Sequence, residues 1–202
     1  RDLLTLVNNQ IYAPSVEDLN DPCECMLDTA DRFAHLEGNA EPLCNEYYMG
    51  LEELEIASNK VVKEIKSKYG VISFCSTFEN ELMWSYYGNG HKGFCIEYDG
   101  DVIKESQSRG CFFLNVEYCP QLPRYSFRTC TFNQYNTIKL TLGVKTVSWA
   151  HEKEKRLVIE EKGLKDIPES SVVGIYFGLR MSESNKELIK NSLTGRHINI
   201  IK

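Results

Sequence analysis

No stretch of the 202-residue chain approaches the roughly 18 consecutive apolar residues that cross a bilayer, and its amino-terminal residues lack the charged, apolar and small-residue order of a secretory signal. Both absences predict a soluble, cytoplasmic chain with no membrane partner. No C-x-x-C pair occurs among the eight cysteines. Cys75 and Cys95 sit inside the apolar runs Phe74-Cys75-Ser76 and Phe94-Cys95-Ile96, where a thiol acts as a small hydrophobe, so free thiols in a reducing compartment are expected rather than a disulfide scaffold. Cys23, Cys25, Cys44 and His35 match the spacing of no common zinc finger, and no metal is expected. Net positive charge is also missing: 23 Lys and Arg against 29 Asp and Glu leave −6, which excludes holding nucleic acid by bulk electrostatics. Internal repeats, linkers and low-complexity tracts are absent too. With 42% hydrophobic residues, enough for a full core, the expectation is one α+β domain over residues 1–202, with a twisted mixed or antiparallel sheet flanked by helices.

The most informative stretch runs from Gly70 to Asp99. Two β-branched and aromatic runs, Val71 to Ser76 and Phe94 to Tyr98, read as strands. Between them Leu82, Met83, Tyr86 and Tyr87 recur at helical spacing, with Ser76 or Thr77 as the expected cap and Gly88 as the stop. Gly88-Asn89-Gly90-His91-Lys92-Gly93 then offers a close backbone approach and cationic donors to an anion. Upstream, Leu51 to Tyr69 has apolar residues at every third or fourth position, acids early and lysines late, which predicts an amphipathic helix ended by Gly70. Asn20-Asp21-Pro22 reads as a rigid turn able to organise a neighbouring site.

Between Glu117 and Glu152 there is no acid, while Arg124, Arg128, Lys139 and Lys145 interleave with Tyr125, Phe127, Phe132 and Tyr135. Cations neutralise phosphates and aromatic faces stack on bases, so this segment is either a nucleic-acid or anion contact or a chance charge distribution around a helix from about Phe132 to Leu142. Ser148 to Arg156 gathers Trp149, His151, Glu152 and Glu154 at the mouth of a strand. Alternation puts Glu154, Arg156 and Val158 on one face and Lys155, Leu157 and Ile159 on the other. Glu154 and Arg156 are thus neighbours, as a structural ion pair or as part of a catalytic set. Capping boxes are expected at Ser15-x-x-Asp18 and Ser184-x-x-Glu187, and further strands over Gln10–Ala13, Cys111–Tyr118, Ser171–Phe177 and His197–Ile201.

Asn20-Asp21-Pro22, Met83-Trp84-Ser85-Tyr86-Tyr87-Gly88 with His91-Lys92-Gly93-Phe94, Trp149-x-x-Glu152-x-Glu154-x-Arg156-Leu157 and Ile175-x-Phe177-Gly178 together resemble the bacterial domain of unknown function 2971 family. The family's usual N-D-P-F is here Asn20-Asp21-Pro22-Cys23. A more distant resemblance, in the order of an early polar strand, a central aromatic segment and a late glutamate, is to ADP-ribosyltransferases. That resemblance implies Glu154 or Glu152 as the catalytic carboxylate with His91. It implies Trp84, Ser85, Tyr86, Tyr87, Lys92, Trp149 and Arg156 around a nucleotide, with His91 and Lys92 at its pyrophosphate. The activity so implied is a transferase consuming NAD as substrate, with no bound cofactor, acting on a nucleic-acid or protein acceptor as a toxin or phage-defence effector. The alternative is a non-catalytic module that binds nucleic acid or protein through Arg124, Arg128 and Lys139.

Overall fold

The computed structural model describes residues 2–21, 51–107, 110–121 and 134–201. Helix α1 (Asp2–Val7) leads into strand β1 (Gln10–Ala13), and a 3-10 turn over Val16–Asp18 follows. Helix α2 (Leu51–Lys68) runs without a break into β2 (Tyr69–Cys75), where β-branched and aromatic residues replace the lysine-rich helical pattern. Next come α3 (Glu81–Tyr86), β3 (Phe94–Tyr98), α4 (Gly100–Ser106), β4 (Phe112–Asn115) and β5 (Glu117–Cys119). Helix α5 (Gln134–Leu142), β6 (Val144–Thr146), a 3-10 turn over Val147–Glu152 and β7 (Glu154–Glu160) carry the chain through the second polar segment. Strands β8 (Gly163–Asp166) and β9 (Val172–Phe177), helix α6 (Glu183–Ser192) and β10 (Asn199–Ile201) follow.

The fold is α+β, and among the described residues its strands form four small sheets instead of one. Strand β7 is the centre of an antiparallel β2-β7-β4 sheet, with Val71 opposite Val158 and Leu114 opposite Arg156. Strand β9 is the centre of a mixed sheet, parallel to β10 and antiparallel to β3. The pairs β1-β8 and β5-β6 are antiparallel and parallel respectively. No described helix is long and apolar enough to cross a membrane.

Two apolar clusters meet at β7. Leu157 and Ile159 join Ile72, Ile103, Ile175 and Phe177 in one, while Val158 joins Val71, Leu114, Ile138 and Leu142 in the other. Alternation therefore buries both faces of the strand and directs Glu154 and Arg156 to the side of Val158.

Several local expectations change. Helix α3 is capped by Asn80, whose side chain accepts from the Leu82 and Met83 amides, and not by Ser76 or Thr77. Asn80 wins because an amide oxygen directly before the first helical residue reaches both orphan N–H groups. For the same reason α6 is capped by Ser182, accepting from the Asn185 amide, and not by Ser184. At Val16–Asp18 no side chain caps the turn; Ser15 Oγ instead donates to Asp18 Oδ2 at 2.8 Å. The single strand expected over Cys111–Tyr118 divides into β4 and β5. Each half is drawn to a different partner, and between them the Val116 amide bonds the Glu154 carbonyl. Cys75, Cys95, Cys111 and Cys119 are free thiols; Cys23, Cys25, His35, Cys44 and Cys130 lie outside the described residues.

Candidate functional site

The two polar segments meet where the end of α3 packs against the turn before β7. Tyr87 donates its hydroxyl to Glu152 Oε1 at 2.6 Å. Lys145 Nζ reaches Glu152 Oε2 at 2.6 Å and Glu154 Oε2 at 2.8 Å. Arg156 then holds Glu154 with two bonds, Nε to Oε1 at 2.8 Å and Nη2 to Oε2 at 3.2 Å, and donates Nη1 to the Leu142 carbonyl at 2.7 Å. Both glutamate side chains are 4% exposed, Lys145 is 7% exposed and Arg156 is fully enclosed. Among the described residues, two carboxylates, an ammonium and a guanidinium form an ionic network buried beneath the surface.

A backbone reversal makes this possible. Lys153, between the two glutamates, is left-handed at φ 46° and ψ 49°, so Glu152 and Glu154 both turn toward one ammonium. A residue with a Cβ is strained there. Lys153→Gly should therefore raise the unfolding free energy by ~1 kcal/mol, read as a higher urea midpoint. A lower midpoint would show that the lysine side chain matters more than the backbone.

The network sets the chemistry of its members. Burial alone would raise the Glu154 carboxyl, but Arg156 and Lys145 outweigh it and hold the pKa down to about 2. A carboxylate held so low is a poor proton acceptor at neutral pH. The Tyr87 phenol is pushed up to about 12, first by burial and then by the carboxylate of Glu152, while the facing Asn20 amide acts in the opposite sense. The Asn20-Asp21 turn thus reaches the site; Pro22 lies outside the described residues.

Aromatic rings cover this network. Lys145 Nζ lies 5.2 Å from the Trp149 ring centroid, a cation–π contact. His151 lies 6.1 Å from Trp149, nearly parallel to it, and 5.9 Å from Tyr86, which meets it edge-on. Tyr86 is 63% exposed, and Tyr87 and Val147 are half-exposed. Asn80, besides capping α3, donates its amide to the His151 carbonyl and so ties the two segments together again. Beside this face lies a hollow of about 430 Å³ lined by Thr77, Glu79, Asn80, Glu81, Leu82 and Lys153. The stacking residues named from the sequence do not line it; they form the adjoining face.

The remaining site residues fall as follows. Trp84 stacks on His91 at 5.9 Å and donates its indole N–H to the Phe78 carbonyl at 2.7 Å, a pair joined to the network through α3 itself. His91 is left-handed at φ 67°, and its carbonyl accepts from the Arg180 amide. A Cβ at Gly178 would stand 2.3 Å from that carbonyl, so only glycine allows this approach. Ser85 Oγ donates to the Glu81 carbonyl within the helix, and Lys92 is exposed. Lys139 is bridged to Glu117 at 2.6 Å, which offsets its charge toward an anion. Arg124 and Arg128 lie outside the described residues.

Spacing alone counts Lys145 among the cations of the basic segment and misses its place between the two glutamates. It also misses Tyr118, whose hydroxyl accepts from the Glu154 amide at 2.8 Å, and Asn80. The one signal for Lys145 was its position as the last cation before an aromatic and acidic cluster.

The chain is thus an α+β protein with an aromatic face over a buried ionic network. Residues 83–157, from α3 into β7, match the model of the family described as Protein of unknown function (DUF2971). The matched stretch contains Trp84 to Tyr87, His91, Lys145, Trp149 and Glu152 to Arg156, so both halves of the site lie inside it. No curated protein and no solved structure matches the chain.

Proposed function

We propose that the chain is a nucleotide-utilising enzyme of ADP-ribosyltransferase type, with NAD as its substrate and Glu152 as the working carboxylate. The observation that carries this reading is the 2.6 Å bond from Tyr87 to Glu152. It joins the two segments, and it puts a hydroxyl from a half-exposed ring on a buried carboxylate. A ribose hydroxyl offers the same donor once Tyr87 swings away. Tyr86 and Trp149 supply flat surfaces for a heteroaromatic ring. Glu154, clamped by Arg156 and Lys145, orients Lys145, which in turn holds Glu152. Buried ion pairs of this kind add little stability over apolar packing, which makes a functional reason for keeping them the stronger account. Action as a toxin or phage-defence effector fits the same chemistry, since consuming NAD arrests growth of the cell that holds the enzyme.

The test is incubation with labelled NAD and candidate nucleic-acid and protein acceptors, read for released nicotinamide and for transferred label. Glu152→Gln keeps the shape and hydrogen-bonding reach but removes charge and basicity, and should lower turnover by about 10²-fold. Full turnover in a folded Glu152→Gln variant, or no nicotinamide release by the wild type, would sink the proposal. Salt-sensitive nucleic-acid binding without NAD cleavage would favour a binding module instead.

A further inference from the structure

His151 has a part that neither the ion pairs nor the stacking explains. Its Nδ1 lies 3.0 Å from the Ser148 carbonyl, an acceptor only, so the neutral ring carries its proton on Nδ1 and leaves a lone pair on Nε2. That Nε2 is shut off from solvent, and among the described residues no donor reaches it. Leaving a buried acceptor unmatched is unfavourable, and such groups in native proteins call for an explanation. The ring is also held firmly, by Ser148 at Nδ1, by Asn80 at its carbonyl and by the Trp149 and Tyr86 rings at its sides. Firm orientation of a bare acceptor beside exposed aromatic surface is how a site reads a donor on a flat ligand. Tyr86, 63% exposed and edge-on to the His151 ring, is on the solvent side of this contact, where side chains change rotamer readily.

We propose that His151 is a specificity-determining residue: its Nε2 accepts an N–H from the heteroaromatic ring that stacks on this face, either a carboxamide or an exocyclic amine. The inference rests on the nucleotide reading above and deepens it. NAD carries both kinds of N–H, on nicotinamide and on adenine.

Binding is measured by rapid-mixing tryptophan fluorescence with three probes: NAD, its 3-acetylpyridine analogue with methyl in place of the carboxamide nitrogen, and its unsubstituted-purine analogue with hydrogen in place of the adenine amine. One analogue should bind roughly tenfold or more weakly than NAD, and which one identifies the ring that faces His151. His151→Phe, which keeps a flat ring but no acceptor, should erase that preference, and His151→Gln, whose amide oxygen accepts, should restore part of it. If either variant fails to fold, the three wild-type affinities still decide. Equal affinity for all three probes overturns the role of His151 and leaves the nucleotide reading standing. No binding of any probe overturns both.

Discussion

Replacing Arg156 by alanine is expected to lower the unfolding free energy by about 3–5 kcal/mol, the loss usual when one partner of a buried ion pair is removed. Chains of ordinary size hold only about 5–15 kcal/mol, so the variant should be partly unfolded at moderate temperature. The guanidinium is fully enclosed, and its bonds include two to Glu154 and one to the Leu142 carbonyl. Alanine leaves a cavity between β7 and α5, a carbonyl without its donor, and Glu154 with Lys145 as its one remaining cation among the described residues. Arg156→Lys keeps the charge but loses the planar fork and should recover only part of the loss. Urea denaturation followed by circular dichroism checks both, and a change below about 1 kcal/mol for Arg156→Ala would mean that the network is not a stabilising unit. On the proposed NAD chemistry, in which Glu154 positions Lys145 and Lys145 holds Glu152, any Arg156→Lys protein that folds should also lose turnover.

Acid should weaken the fold through Glu154. Its folded pKa of about 2 lies below the ordinary value of 4.5, so its contribution is complete above pH 4.5 and disappears as pH falls toward 2. A shift of that size corresponds to on the order of 3 kcal/mol. Other carboxylates titrate in the same range, so the comparison that isolates this one is the wild type against Glu154→Gln. The variant is less stable at pH 7 because Arg156 loses the carboxylate it pairs with and Lys145 loses one of two, and it should show a shallower decline between pH 5 and pH 2. Parallel pH profiles for the two proteins would show that Glu154 is not the group whose protonation unlocks the network.

The parts of this molecule that were legible in the sequence are those set by local period. The alternation through Glu154, Arg156 and Val158 correctly placed the glutamate and arginine on one face, because a strand repeats every two residues whatever packs against it. The helix over Leu51–Lys68 followed from its apolar spacing and its early acids and late lysines. The caps of α3 and α6 were each misplaced among several residues able to cap, since the choice depends on where the first helical turn begins. Strands β6 and β8 went unseen because three or four residues with few apolar groups carry too little pattern to separate them from loop.

By itself the sequence determined the α+β class, the bracket of strands around α3 and the gathering of aromatic and acidic residues in two separate segments. Only the tertiary structure decided that Lys145 stands between Glu152 and Glu154, that Tyr87 reaches Glu152 across 65 positions, and that Glu154 is held by both Arg156 and Lys145. Tyr118 and Asn80 joined the site in the same way. The reason is physical. Local periodicity states which face a side chain occupies, but a buried charge takes whichever partner the packing of distant strands brings within about 3 Å, and here a left-handed turn at Lys153 selects it.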